Sequence, residues 1–318
     1  MSTTSANYST IETFSFTAFI VVRSLVALSR TSRWQALVSK ETARYAEHFV
    51  RYAASHSTLC QLVTKMPDDV YLWLMDHCNA YGMTLHFTLR KRLIEATAHE
   101  TIRKGVTQII VLGAGFDSLV LRLHRQYPDI IFFEMDQPAT QAAKREALTE
   151  NTASNLVFLP CDLSMRGALR HHLIHHSSFS VNRKTLFILE GLCMYLTETE
   201  NKNLFSEIHA LCPAGSQIIF GALDVSKTQA PGIARLVLKL RKESYCWVIN
   251  TKEMPAWIAQ NNFTLIETSP YLDLQKRYRT KDEMGTLKGK SFENYYLVER
   301  HSGRPPRLPS SGPLKNTH

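Results

Sequence analysis

Two glycines and a spaced series of acids are the residues of this chain with chemistry to offer. Gly113-Ala114-Gly115-Phe116-Asp117 follows the apolar run Gln108–Leu112, and Met135-Asp136 closes a second run that begins at Ile130. The glycines allow a sharp backbone turn and leave room for a ligand to lie against the main chain. An acid about 20 positions further on is where folds of this kind grip ribose hydroxyls. Glycine turn and acid together describe a nucleoside pocket.

A dinucleotide and S-adenosylmethionine both fit such a pocket. A dinucleotide asks for a third glycine at position 118 and a helix N-terminus free to hold pyrophosphate. This chain has Ser118, preceded by Asp117, whose charge would repel a pyrophosphate. S-adenosylmethionine instead carries a sulfonium and an amino group, so nearby acids help. The local chemistry therefore favours the methyl donor over NAD.

Further acids stand where strands should end. Asp162-Leu163 closes the run 156–161, where the carboxylate could accept from an adenine amino group while the leucine packs the ring. Asp162 would equally suit a helix N-cap. Glu190-Gly191 closes the run 185–190, and a carboxylate in so apolar a stretch needs a partner. The donor's methionyl ammonium or ribose edge would supply one, as would an arginine. Arg90 and Arg92, on the helix before the first strand, could clamp a carboxylate bidentately or simply be solvated. His171, His172, His175 and His176 include two i,i+4 pairs, but no cysteine or acid nearby completes a metal set, and no metal is expected.

The elements that must position these residues alternate between strand and helix, the pattern of a parallel sheet wrapped on both faces. Strands are expected over about 107–113, 130–136, 156–161, 185–190 and 216–222, with helices over about 117–127, 138–150, 165–175 and 197–211. The second of these helices opens on Pro138, and the fourth on a Thr197/Glu200 capping box. Residues 14–28, 41–54 and 87–104 carry helical periodicity ahead of the sheet, with a less regular stretch between 54 and 81. A helical insertion near 232–242, a helix over 252–260 and two antiparallel strands, 263–268 and 295–298, complete the domain. A basic loop, 275–290, separates those strands. The chain thus divides into an N-terminal helical lid region (1–85), a ligand-binding domain (86–300) with an insertion at about 226–250, and a Pro/Ser/Gly-rich tail (301–318) expected to be disordered.

Composition bounds the class. Hydrophobic residues make up 44% and charged residues 20%, ordinary for a soluble enzyme. The net charge of +9 is spread along the chain with no interleaved aromatic platform, which favours solvated faces over a nucleic-acid surface. The six cysteines show no Cys-x-x-Cys spacing and read as buried thiols of a reducing compartment. The apolar stretch 14–28 is too short to span a bilayer and lacks a basic leader, so a cytoplasmic protein without a membrane anchor is expected.

Taken together, several segments resemble the leucine carboxyl methyltransferase family. They are Ile110 to Ser118, Phe133-Glu134-Met135-Asp136-Gln137-Pro138, Cys161-Asp162-Leu163 and Glu190-Gly191-Leu192-Cys193-Met194-Tyr195-Leu196. Ser15-Phe16-Thr17-Ala18 with Arg23, and Arg90-Lys91-Arg92-Leu93-Ile94-Glu95, resemble elements of the family's bacterial branch of S-adenosylmethionine-dependent O-methyltransferases. The resemblance implies a Rossmann-like methyltransferase fold: a seven-stranded, mostly parallel sheet with helices on both faces and its last strand antiparallel. It further implies Arg90 on the donor carboxylate, Gly113 and Gly115 against the donor, and Asp136 on the ribose. Asp162 and Leu163 would flank adenine, and Glu190 would lie near the methionine end. Residues 60–81 and 226–250 depart from the branch, so no substrate carries over.

The expectation is an S-adenosylmethionine-dependent O-methyltransferase acting on a small-molecule carboxylate or phenol. An RNA or protein carboxyl methyltransferase and an NAD(P)-dependent oxidoreductase are the alternatives. The helix over 14–28 is expected to cover the donor pocket, with Phe16 or Phe19 facing the ligand. Tyr195 and Tyr245 are expected to border the acceptor.

Overall fold

The computed structural model describes residues 14–78, 83–148, 153–224, 245–278 and 293–301. Strand β1 (Gln108–Leu112) is buried along its whole length, and its side chains alternate between two cores. Ile109 and Val111 join one apolar cluster, and Ile110 and Leu112 join the other, as the two-residue period of a strand requires. The remaining strands are β2 (Ile131–Asp136), β3 (Leu156–Pro160), β4 (Thr185–Leu189), β5 (Gln217–Leu223), β6 (Phe263–Pro270) and β7 (Glu293–Arg300).

They form a seven-stranded sheet in the order β3-β2-β1-β4-β5-β7-β6. The first five strands are mutually parallel, and β7 runs antiparallel between β5 and β6. Chain order steps outward from β1 to β3 and then returns to β4 on the other side of β1. The gap between β1 and β4 is therefore the topological switch point, where ligands collect at the carboxyl ends of strands.

One sheet face packs against α1 (Phe16–Arg30), α2 (Lys40–His56), α5 (Met83–Arg103), α6 (Leu119–Gln126) and α7 (Pro138–Ala147), around Phe19, Phe49, Leu89 and Val120. The other face carries α8 (Ala168–Ile174), α9 (Glu198–Leu211) and α10 (Met254–Gln260), around Leu204, Phe205 and Ile258. Two shorter helices, α3 (Thr58–Lys65) and α4 (Asp68–Cys78), fill the stretch read as less regular. The ends are fixed as the sequence suggests. Ser15 caps α1 by accepting from the Ala18 N–H at 3.1 Å, and Thr197 and Glu200 form a reciprocal capping box on α9.

Some boundaries differ from expectation. Helix α5 begins at Met83 rather than 87, which brings His86 onto the helix that carries Arg90. Residues 275–278, expected in a loop, belong to helix α11 (Tyr271–Tyr278), whose Tyr271 and Leu274 are buried against the sheet. Cys60, Cys161, Cys193 and Cys212 are buried, but Cys246 is exposed. The helix expected at 232–242 and residues 302–318 of the expected tail lie outside the described residues. Among the described residues no helix is long and apolar enough to cross a membrane.

Candidate active site

Past β1 the backbone turns through Gly113 (φ +70°) and Gly115 (φ +49°), conformations that side-chain-bearing residues seldom adopt. The turn is anchored on β2, with the Gly113 N–H donating to the Met135 carbonyl at 2.8 Å. Space is as restrictive as torsion. A Cβ on Gly113 would stand 3.0 Å from Leu192 Cδ1, and one on Gly115 would stand 3.1 Å from the Ala18 Cβ. The glycine turn is therefore flanked by the segment after β4 and by the first turn of α1.

Asp136, at the end of β2, faces this turn. Its Oδ2 accepts from the Gly115 N–H at 2.6 Å and its Oδ1 from the Gln137 N–H at 2.7 Å. A carboxylate offers about four lone-pair sites and can accept from several donors at once. Asp162 lies beside it, because the Cys161 N–H donates to the Asp136 carbonyl at 2.7 Å. The Asp162 Oδ1 accepts from the Ser164 N–H at 3.0 Å and hydroxyl at 2.7 Å, which makes a local turn and not the helix N-cap open to it in the sequence, since α8 begins after Gly167. Leu163 is buried and packs in the same cluster as Leu112 and Met135.

On the other side of the switch point, Glu190 ends β4 in a buried ionic cluster. Its Oε1 accepts from Arg90 Nε at 2.8 Å and from Lys91 Nζ at 2.9 Å. Lys91 also meets Asp117 at 3.2 Å. The Glu190 Oε2 is buried with no hydrogen-bond partner among the described residues. An orphaned carboxylate oxygen is costly unless a cation or N–H donor completes it. Behind Arg90 lie Glu293 and Tyr295 of β7 and His86 of α5. The ion pair from Arg90 Nη1 to Glu293 Oε2 spans 3.6 Å, and His86 Nε2 lies 2.6 Å from the same oxygen.

Burial opposes every charge here, and the partners decide which survive. For Arg90, desolvation is the largest single effect, but Glu190, Tyr295 and Glu293 together overcome it and hold the guanidinium above its ordinary value. For Asp117, burial is overcome by Lys91, Lys144 and Arg122, and the carboxyl falls to about 2. Burial lowers His86, while Glu293 is held below the carboxylate range against burial by His86 and Arg90. Under the turn, the buried pair Glu134–Lys144 closes at 2.7 Å, and burial raises Glu134 to about 7.

The sequence candidates thus assemble in two groups around one turn: Asp136 and Asp162 beside Gly115, and Arg90 with Glu190 across from them. Arg92 is exposed, its guanidinium 5.6 Å from the Tyr278 ring centroid, and stays out of the cluster. Tyr195 and Tyr245 come together with ring centroids 5.8 Å apart, because the Cys246 N–H docks on the Met194 carbonyl at 2.8 Å. Phe19 is fully buried in the core, whereas Phe16 is only half-buried. Among the described residues no group of three or more His, Cys, Asp or Glu could hold a metal; His171 and His175 stack 4.8 Å apart on α8 without further ligands.

Lys91, His86, Glu293 and Tyr295 were not among the candidates, and Asp117 entered only as an acid beside the glycine turn. One signal was available: Glu293 and Tyr295 are two residues apart and face the same side of β7, but the expected strand began only at residue 295. His86 was concealed by placing the helix start one residue after it.

A parallel sheet completed by an antiparallel β7, with a glycine turn after β1 and acids at the carboxyl ends of β2, β3 and β4, defines an α/β methyltransferase fold. Two solved structures share it: a putative methyltransferase from Thermobifida fusca (TM-score 0.58, 14% identity, 80% of this chain and 94% of that one) and a DUF574 family protein from Streptomyces avermitilis (TM-score 0.59, 9% identity, 92% and 99%). The leucine carboxyl methyltransferase model matches residues 28–209, and the chain belongs to that family. A protein named "Putative S-adenosyl-L-methionine-dependent methyltransferase YktD" in Bacillus subtilis is 30% identical over 46% of this chain, a match that spans 49% of YktD. A likewise named Mycobacterium protein is 30% identical over 64% of this chain and 77% of its own length. Family and relatives agree on an S-adenosylmethionine-dependent methyltransferase.

Proposed function

We propose that this chain transfers a methyl group from S-adenosylmethionine to an oxygen of a small molecule, a carboxylate ahead of a phenol. The observation that carries the donor side is the buried, unpartnered Oε2 of Glu190 beside Arg90. One amino acid end, with its ammonium and carboxylate, complements that pair of side chains. Asp136 then suits the ribose hydroxyls, Asp162 and Leu163 the adenine, and the two strained glycines the close approach of the donor to the main chain. Bound there, the donor supplies an electrophilic methyl on a sulfonium.

The same geometry argues against a dinucleotide. Ser118 occupies the third-glycine position, and the Asp117 Oδ1 accepts from the Leu119 N–H at 3.1 Å. A carboxylate thus already sits at the α6 N-terminus, where a pyrophosphate would need to be.

Acceptor choice follows from proton chemistry. A carboxylate is ionised at neutral pH and asks the protein only for alignment and exclusion of water, whereas a phenol with a pKa near ~10 needs a base. The buried acids around the donor pocket are engaged with cations, which favours an acceptor that arrives ionised. Tyr195 and Tyr245 would border it, and the first turn of α1 would cover the donor, a reading supported by the Ser15 N–H donating to the Thr140 hydroxyl at 3.1 Å and by Ala18 against Gly115. Buried free thiols suit a cytoplasmic setting.

Calorimetry with S-adenosylhomocysteine and with NADH tests the donor: binding of the first alone is expected, and tighter binding of NADH would overturn it. Products from a library of acids and phenols, made with methyl-labelled donor, then test the acceptor. Mild alkali releases methanol from a methyl ester but leaves a phenyl ether intact, so label stable to alkali would overturn the carboxylate reading. An RNA acceptor would be exposed by binding that weakens steeply as salt rises.

A further inference from the structure

Beneath Arg90 lies a second layer of polar side chains that the donor contacts proposed above do not use. Glu293 and His86 each expose only 1% of their side chains, and Tyr295 is equally buried. The Glu293 Oε2 accepts from the Tyr295 hydroxyl at 2.6 Å and lies 2.6 Å from His86 Nε2; the Tyr295 oxygen is 2.8 Å from that nitrogen. The Tyr295 hydroxyl and His86 Nε2 thus converge on one carboxylate oxygen, whose third neighbour is Arg90 Nη1. With Nε held by Glu190 and Nη1 facing Glu293, the guanidinium plane is fixed from two sides. Its third contact is backbone, since a Cβ on Gly191 would meet Nη1 at 3.4 Å.

A buried carboxylate of this kind is expensive unless it is fully engaged. The fold makes specific room for it. Gly221 pairs with Tyr295 across β5 and β7, and a side chain on Gly221 would collide with the Glu293 carboxylate and lie 3.0 Å from the Tyr295 ring. Arg90 carries its charge against burial with the help of Glu190, Tyr295 and Glu293, and Glu293 in turn is kept ionised by His86 and Arg90. Each member of this layer contacts another, and the chain of contacts ends on Arg90.

We infer that Glu293, with His86 and Tyr295, is a positioning unit that orients Arg90 for the carboxylate of the methyl donor. The inference rests on the donor reading above and adds to it residues from the last strand and the start of α5 that touch no substrate themselves. Their effect is felt in donor affinity, through the direction in which the guanidinium presents its remaining N–H groups.

The test is isothermal titration of S-adenosylhomocysteine into the full chain and four variants, with thermal unfolding of each recorded without ligand. Glu293→Gln keeps the shape and removes the charge; Gly221→Ala keeps the charge and displaces the carboxylate. Both should weaken binding by about tenfold or more, a loss that corresponds to one step of the affinity scale. His86→Gln retains an N–H near the place of Nε2 and should bind within about threefold of wild type, whereas His86→Leu should match Glu293→Gln. If either Glu293→Gln or Gly221→Ala fails to fold, the other with the histidine pair decides the matter. Wild-type affinity in a folded Glu293→Gln or Gly221→Ala, or equal losses in the two histidine variants, would overturn the inference and mark the layer as structural. Absence of binding by the wild-type chain would overturn the donor reading, and the inference with it.

Discussion

The Cβ of Ala18, on the first helix, lies 3.1 Å from the point where a side chain on Gly115 would begin. The helix and the glycine turn are therefore packed to within one methyl group of each other. Gly115→Ala adds that methyl and also forces alanine into the left-handed region, at a cost of about 1–3 kcal/mol. Chemical denaturation should show that loss, and titration with S-adenosylhomocysteine should show weakened donor binding. An Ala18→Gly partner substitution should recover part of the packing but none of the torsional strain.

Asp136→Ala removes a carboxylate that both holds the Gly115 N–H and faces the proposed ribose site. Donor affinity should fall by about 1–3 kcal/mol, the range for hydrogen bonds to a charged group. Wild-type affinity in a folded variant, read by calorimetry, would place the ribose elsewhere.

Arg90→Lys preserves the charge but not the planar fork that Glu190 and Glu293 orient. It should weaken S-adenosylhomocysteine binding nearly as much as Arg90→Ala. Arg92→Ala, exposed on the same helix, should leave affinity unchanged, and a result with the two positions reversed would relocate the clamp.

Acid should act through Asp117. Its folded pKa is depressed to about 2 from an ordinary 3.8, so its contribution is present above 3.8 and is lost as pH falls through 2. The shift corresponds to about 2 kcal/mol. Urea unfolding should show Asp117→Asn less stable than wild type near neutral pH, with the difference shrinking towards about pH 2. A constant difference across that window would separate the effect from ionisation.

Strand order and most of the donor side were legible because their signals are local. The run 108–112 is apolar on both faces, as a central parallel strand must be, and Gly113 and Gly115 immediately follow it. Asp136 and Glu190 could be read as strand-end acids without knowing their neighbours. What escaped was decided by distant pairing. Glu293 is 207 residues from His86, and nothing in either local sequence announces the other. The helix Tyr271–Tyr278 was hidden by its basic residues, Lys276 and Arg277, because its burial rests on only Tyr271, Leu274 and Gln275. Asp162 was legible as an acid at a strand end, but its turn contacts with Ser164 are the ones the structure displays.

The antiparallel β7 has a consequence for how the pocket comes into being. β6 precedes it in the chain, yet β6 joins the sheet only through β7, which lies between β5 and β6. During synthesis the β5 edge must therefore wait, unpaired, for the last of the seven strands, and β6 has no place in the sheet until that strand arrives. Such non-local pairing is slow to form. Glu293 and Tyr295 enter with it, so the layer behind Arg90 is assembled in the closing step of sheet formation. A donor that binds only the finished arrangement would then act as a seal on that step, and its concentration in the cell would set how often the sheet reopens.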